Sequence, residues 1–134
     1  MKINWYLIIA IFIGGALGTT VRYFINVQTM FTLYPIGTLT ENIIGSFLLG
    51  VLTRYLIHRK SHEVWKAGLG VGFCGSLTTM STLAADAYAL AGDNSMLSAA
   101  LYTSLSLFGG LLVAMIGFAL SDAYAKRMGA VEND

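Results

Sequence analysis

Ser76, Thr78, Thr79, Ser81 and Thr82 place five hydroxyl groups within seven consecutive residues, and the surrounding run 67–85 carries no charged side chain. A hydroxyl is both donor and acceptor. In a segment apolar enough to lie in lipid, one or two such groups bond back to their own helix or across to a neighbour. Five of them, preceded by Gly68, Gly70, Gly72 and Gly75, point instead to a locally unwound helix. Irregular backbone is tolerated at membrane depth only where protein buries it or where it lines a watery cavity. Carbonyls freed there suit a cation, whereas amide hydrogens and hydroxyls suit an anion.

A second polar set lies upstream. Thr38, Asn42 and Ser46 recur every four residues, with Gly50 continuing the row, which puts them on one helix face. Asn42 offers an NH₂ group, and Thr38, Ser46, Ser81, Thr82 and Tyr102 offer hydroxyl donors. No Lys or Arg sits at the centre of an apolar run, so an anion would be held by neutral donors alone. A small, strongly basic anion could exchange its hydration shell for such donors stepwise, whereas a larger anion would fit so narrow a path less well. On these residues alone the chemistry is that of a polar ion pathway. Glu41 interrupts the run 36–53. A carboxylate inside a membrane span is a functional candidate, here a proton carrier; otherwise it is a residue one turn inside the span, reaching the interface or a vestibule.

Other motifs carry no chemistry. Residues 70–75 match G-x-G-x-x-G, but a dinucleotide site needs a preceding strand and a βαβ unit, and a charged loop stands upstream. His58 and His62 have one-face spacing without a third ligand. Cys74 is the single cysteine, so no intramolecular disulfide exists, and apolar packing is its expected role. No nucleophile–base pair or metal set is visible, so no enzyme is expected. A net charge of +1 gives no basis for nucleic-acid binding.

The elements that must position these groups follow from composition. The chain of 134 residues is 56% hydrophobic and only 11% charged, against about 25% charged in soluble domains. Uncharged runs over 5–21, 67–85 and 95–121, with 36–53 broken only by Glu41, are long enough to span a bilayer. The expected architecture is an all-α membrane protein, one domain over 1–134 in contact with membrane lipid. Its four transmembrane helices run over about 5–26, 36–57, 64–90 and 95–125, the third broken in mid-membrane. The N-terminal run loosely resembles a signal peptide, but cleavage is not expected. Gly14, Gly18 and Arg22 share a face of the first span; the glycines allow close helix approach, and Arg22 is placed to snorkel or to bind carbonyls at the helix end. Seven of eight basic residues (Lys2, Arg54, Arg59, Lys60, Lys66, Lys126 and Arg127) fall on the side of the termini, and Arg22 lies toward the other. The positive-inside rule puts both termini in the cytoplasm.

The chain resembles the Fluc (CrcB) fluoride channel family over its whole length. The matching pieces are the glycine–arginine row ending in Arg22-Tyr23, the stretch 37–47 (GTLTENIIGSF), and the stretch 72–83 (GFCGSLTTMSTL). The resemblance implies an antiparallel dimer with two narrow pores along the subunit interface, passive fluoride export across the bacterial inner membrane, and hence fluoride resistance. It also implies a structural sodium ion at the dimer centre, held by third-span carbonyls that match Gly75 and Thr78. Asn42 matches the pore asparagine, and Ser81, Thr82 and Tyr102 match the polar path.

Departures from the pattern bear on assembly. Met80 and Leu83 stand where the family places phenylalanines, whose ring edges carry partial positive charge. Gly110 and Ala114 stand where relatives carry Ser and Thr, Glu41 replaces an apolar residue, and Asp86 replaces a glutamate. Together with the seven-to-one basic bias, these losses favour a degenerate half of a heterodimer with a homologous chain, an identical copy being the alternative. Two further readings stand beside a fluoride channel subunit: a proton-coupled small exporter using Glu41, and a non-conducting assembly subunit.

Overall fold

A computed structural model describes residues 4–32, 34–93 and 95–127, without the side chain of Asp93. Lys2 and the residues beyond Arg127 lie outside that range. Among the described residues every regular element is helical. Helix α1 spans Trp5–Thr29, α2 spans Ile36–His58 and α6 spans Met96–Arg127; these three are long and apolar enough to cross a membrane. Where one span over 64–90 is expected, the chain forms consecutive pieces: α3 (Glu63–Trp65), a π-helical segment (Lys66–Cys74), α4 (Gly75–Leu77) and α5 (Met80–Asp93).

The π-helical geometry shows in the bond from Gly75 N–H to the carbonyl of Gly70, five residues back. Its glycines bring α1 against bare backbone. A methyl group on Gly14 would overlap the Gly68 carbonyl, and one on Gly18 would overlap the Phe73 carbonyl. Helix α1 starts at Asn4, whose side chain accepts the Tyr6 N–H at 3.2 Å. It runs on to Thr29, so Arg22 sits about two turns before the end. That corrects the expectation that Arg22 binds carbonyls at the helix C-terminus; the Arg22 carbonyl itself accepts from Asn26 Nδ2 at 3.1 Å.

Burial is inverted relative to a water-soluble fold. Phe12, Phe108, Leu111 and Met115 are exposed, whereas Thr38, Glu41, Asn42, Thr79 and Ser106 are buried. Lipid accepts the apolar exterior, and each buried polar group must find a partner inside the protein. The apolar core is small: Leu83, Leu90, Ala99 and Tyr102, with Leu39, Ala87 and Ala91 against them. Near the carboxyl ends of α2 and α6, Asp122 gathers three basic groups. Arg54 is paired with it, His58 Nε2 lies 3.1 Å away, and Lys126 Nζ lies 2.9 Å away. His62 instead uses its ring to accept the Val64 N–H at 3.3 Å and start α3, so the two histidines have separate partners.

Candidate ion pathway

At Thr78 the backbone leaves the helix, with φ −81° and ψ 154°. The consequences are local and specific. Thr78 Oγ1 donates to the Cys74 carbonyl at 3.1 Å, closing α4. Thr79 Oγ1 accepts the Thr82 N–H at 3.2 Å, the N-cap bond that starts α5. The same oxygen lies 3.2 Å from both Ser81 Oγ and Thr82 Oγ1. Four of the five clustered hydroxyls therefore bond within the break itself. Ser76 packs beside Gly15 of α1.

Thr79 turns its own backbone away from the helix ladder, and Asn42 receives it. Asn42 Nδ2 donates to the Thr79 carbonyl at 3.1 Å, and Thr79 N–H donates to Asn42 Oδ1 at 2.8 Å. The second hydrogen of Nδ2 reaches Ser106 Oγ of α6 at 3.3 Å. A primary amide satisfies a peptide in both directions because it carries donor and acceptor together. Helix α2 approaches this closely because Gly45 has no Cβ; one built there would come 2.5 Å from Thr78 Cγ2.

These groups open onto a cleft of about 400 Å³. Asn42, Ser46, Thr78, Thr79 and Ser106 supply its polar atoms, and Gly75, Met80, Leu83 and Gly110 complete the wall. A second polar cavity, about 390 Å³, lies toward the α1–α2 connection and is lined by Asn26, Thr29, Thr38, Thr82 and Asp86 among others. No Lys or Arg lines either cavity.

The expected site residues thus divide between two places. Asn42, Ser46, Gly75, Thr78, Met80 and Leu83 share the cleft, whereas Thr38 and Thr82 face the second cavity. Tyr102 lies near that cavity, donating to Asp86 Oδ2 at 2.9 Å, with the Pro35 carbonyl 3.4 Å away. Ser81 is exposed. Met80 and Leu83 differ sharply: Met80 is 70% exposed, while Leu83 is 3% exposed and belongs to the core. Gly110 lies under Ser46, whose Oγ would be 3.2 Å from a Cβ at that position.

Glu41 lies behind the wall of the second cavity, bonded to its lining residue Asn26. Fully buried, it lines neither cavity, which differs from the interfacial or vestibular position expected for it. Asn26 Nδ2 of α1 donates to its Oε2 at 2.9 Å, and its Oε1 has no hydrogen-bond partner among the described residues.

Comparison with known proteins shows the family to which the chain belongs. A family profile described as CrcB-like protein, Camphor Resistance (CrcB), matches residues 9–118. The chain belongs to the CrcB family. Among its CrcB relatives, a protein of Halalkalibacterium halodurans named "Fluoride-specific ion channel FluC 2" is 50% identical over 120 residues, covering 90% of this chain and 89% of the relative. One of the same name from Bacillus subtilis is 42% identical over 108 residues, covering 81% and 82%. "Fluoride-specific ion channel FluC" of Pectobacterium atrosepticum is 35% identical over 116 residues, covering 84% and 91%. Two partners in this CrcB chain escaped the sequence reading. Ser106 follows Tyr102 by four residues and precedes Gly110 by four, so the helical period held the signal. The Asn26–Glu41 bond joins positions on different helices and left no periodic trace.

Proposed function

We propose that this chain is a subunit of a fluoride-selective passive channel, not an enzyme, that exports fluoride from the cytoplasm across the bacterial inner membrane. The observation that carries the reading is the cleft at Thr78–Thr79, lined by neutral amide and hydroxyl groups without a fixed positive charge. Neutral donors replace a hydration shell stepwise and bind an anion weakly enough for it to leave again. The names carried by the CrcB relatives support fluoride as the ion.

In this proposal α3, the π-helical segment, α4 and α5 together form the fourth crossing, broken at the cleft, within one four-helix channel domain. Met80, Ser81 and Gly75 are exposed beside the cleft, a surface suited to a second, antiparallel subunit that completes the pore. The basic asymmetry favours a homologous chain over an identical copy and supports cytoplasmic termini. The sodium ion fits the donor set at the break. Thr79 N–H, the normal helical partner of the Gly75 carbonyl, goes to Asn42 instead. Thr82 N–H, the partner of the Thr78 carbonyl, goes to Thr79 Oγ1. Gly75 and Thr78 would hold the ion through these released carbonyls, and the ion would supply fixed positive charge to an otherwise neutral site.

Fluoride efflux from liposomes, measured with the chain alone and then with a co-expressed homologous chain, tests the reading. Efflux in either preparation supports it; absence in both, with correctly inserted protein, overturns it and leaves the assembly-subunit reading. The proton-coupled alternative needs Glu41 to meet a pathway, and Glu41 lines neither polar cavity.

A further inference from the structure

Thr79 links the linings of the two polar cavities through a hydrogen bond. It lines the cleft, Thr82 lines the second cavity, and the two share no lining residue. A connected hydrogen-bond path runs from Ser106 Oγ through the Asn42 amide to the Thr79 peptide. It continues from Thr79 Oγ1 to Thr82 Oγ1.

The donors around this junction are mostly committed. Both Nδ2 hydrogens of Asn42 are used, on Thr79 O and Ser106 Oγ. The Thr78 hydroxyl proton goes to Cys74 O. Thr79 differs. Its oxygen accepts Thr82 N–H, and its hydroxyl lies at the same 3.2 Å from Ser81 Oγ and Thr82 Oγ1, pairs in which either oxygen can be the donor, so no single partner claims its proton. A hydroxyl hydrogen rotates to suit its surroundings. Rotation redirects the donor and leaves the accepting cap bond in place, so the proton can turn without unwinding α5.

We propose that Thr79 is the hand-over residue between the cleft and the second cavity: its hydroxyl proton turns from Ser81 or Thr82 to a small anion in passage, while its oxygen holds the cap of α5. An anionic acceptor makes the stronger, charge-assisted bond, which favours the turn when the ion arrives and the return when it leaves. The proposal names a donor within the fluoride-channel reading and rests on it.

The test is fluoride efflux from liposomes containing the channel in its conducting form, alone or with a homologous partner, carrying Thr79→Val, Thr79→Gly or Thr79→Ser. Valine keeps the shape without the hydroxyl. Glycine caps a helix about as well as threonine, so Thr79→Gly decides the matter if Thr79→Val elutes abnormally. Serine restores the hydroxyl without the methyl. The expected result is at least a tenfold loss of efflux in Thr79→Val and Thr79→Gly, with Thr79→Ser within threefold of wild type. Efflux within threefold of wild type in the hydroxyl-free variants overturns the hand-over. So does a loss in Thr79→Ser equal to that in Thr79→Val, because a methyl contact would then be the cause. No efflux from the wild-type protein in any pairing sinks the channel reading itself, a distinct result.

Discussion

Asn42 and Thr79 bind one another in both directions, amide to carbonyl at 3.1 Å and peptide N–H to amide oxygen at 2.8 Å. A cleft side chain that also braces the cleft wall cannot be altered in one role alone. The sequence presents Asn42 as an ion-pathway donor, a role that bears on conduction. The geometry adds an expected effect on folding, because truncation strands a buried peptide group.

For Asn42→Ala we expect at least a tenfold loss of fluoride flux together with a stability loss of about 1–3 kcal/mol, the cost of unsatisfied buried groups. Asn42→Asp keeps the acceptor for Thr79 N–H and loses the donor. It should therefore fall between wild type and Asn42→Ala in thermal unfolding of detergent-solubilised protein. Wild-type stability of Asn42→Ala would show the bracing bonds to be dispensable.

Met80 and Leu83 should respond differently to the family's phenylalanine. Met80 is exposed beside the cleft, so Met80→Phe is expected to leave the unfolding midpoint unchanged and to raise flux of the chain reconstituted alone. Leu83 is packed in the core. Leu83→Phe should overpack it at a cost of about 1–3 kcal/mol. Equal effects on stability would contradict the separation.

Glu41→Gln should preserve fluoride flux within about twofold, because Glu41 lines neither polar cavity. Uptake driven by a pH gradient in wild type and abolished in Glu41→Gln is the pattern that would make Glu41 a proton carrier. Parallel fluoride-electrode traces with and without the gradient distinguish the two.

Gly14 and Gly18 tolerate no side chain, since a methyl group at either meets a backbone carbonyl of the π-helical segment. Gly14→Ala and Gly18→Ala are each expected to destabilise by roughly 1–3 kcal/mol. Gly92 of α5 has open space around its Cβ position. Gly92→Ala should be neutral or gain up to about 1 kcal/mol from helix propensity. The contrast separates steric exclusion from a general effect of replacing glycine in lipid.

Orientation is testable with one added thiol. Cys74 is 1% exposed, so an impermeant maleimide should report a cysteine at position 130 rather than the native one. Labelling of intact cells should be weak, and labelling of inverted vesicles strong. Comparable labelling in both would point to dual topology and an identical partner.

The three long helices were legible because each needs only an apolar run, and the close α1 contact was legible in the Gly14–Gly18 spacing. The hydroxyl cluster marked the place where the backbone leaves the helix but not its bonding. Thr79 serves as cap and Thr78 as closure, roles set by a ψ angle that composition does not encode. The row Thr38–Asn42–Ser46 read as one stripe, yet Thr38 opens to a different cavity, because the loop beside Pro35 and the side chain of Asp86 enclose that end of α2. Leu83 looked equivalent to Met80 by family position. Three residues along a helix nearly complete one turn, but Leu83 points toward α6 and Tyr102 whereas Met80 points outward.

The internal satisfaction of the break bears on biogenesis. In the dimeric assembly proposed above, a newly inserted subunit must dwell in the bilayer until it meets its mate. Thr79 and Asn42 answer one another, and Ser81, although exposed, lies within hydrogen-bonding distance of Thr79 Oγ1. Apart from the released Gly75 and Thr78 carbonyls, the solitary chain therefore presents lipid with few unanswered polar groups at this depth. It can diffuse as an intact half-channel, and pairing becomes an encounter between finished surfaces rather than a rescue of an unfinished one.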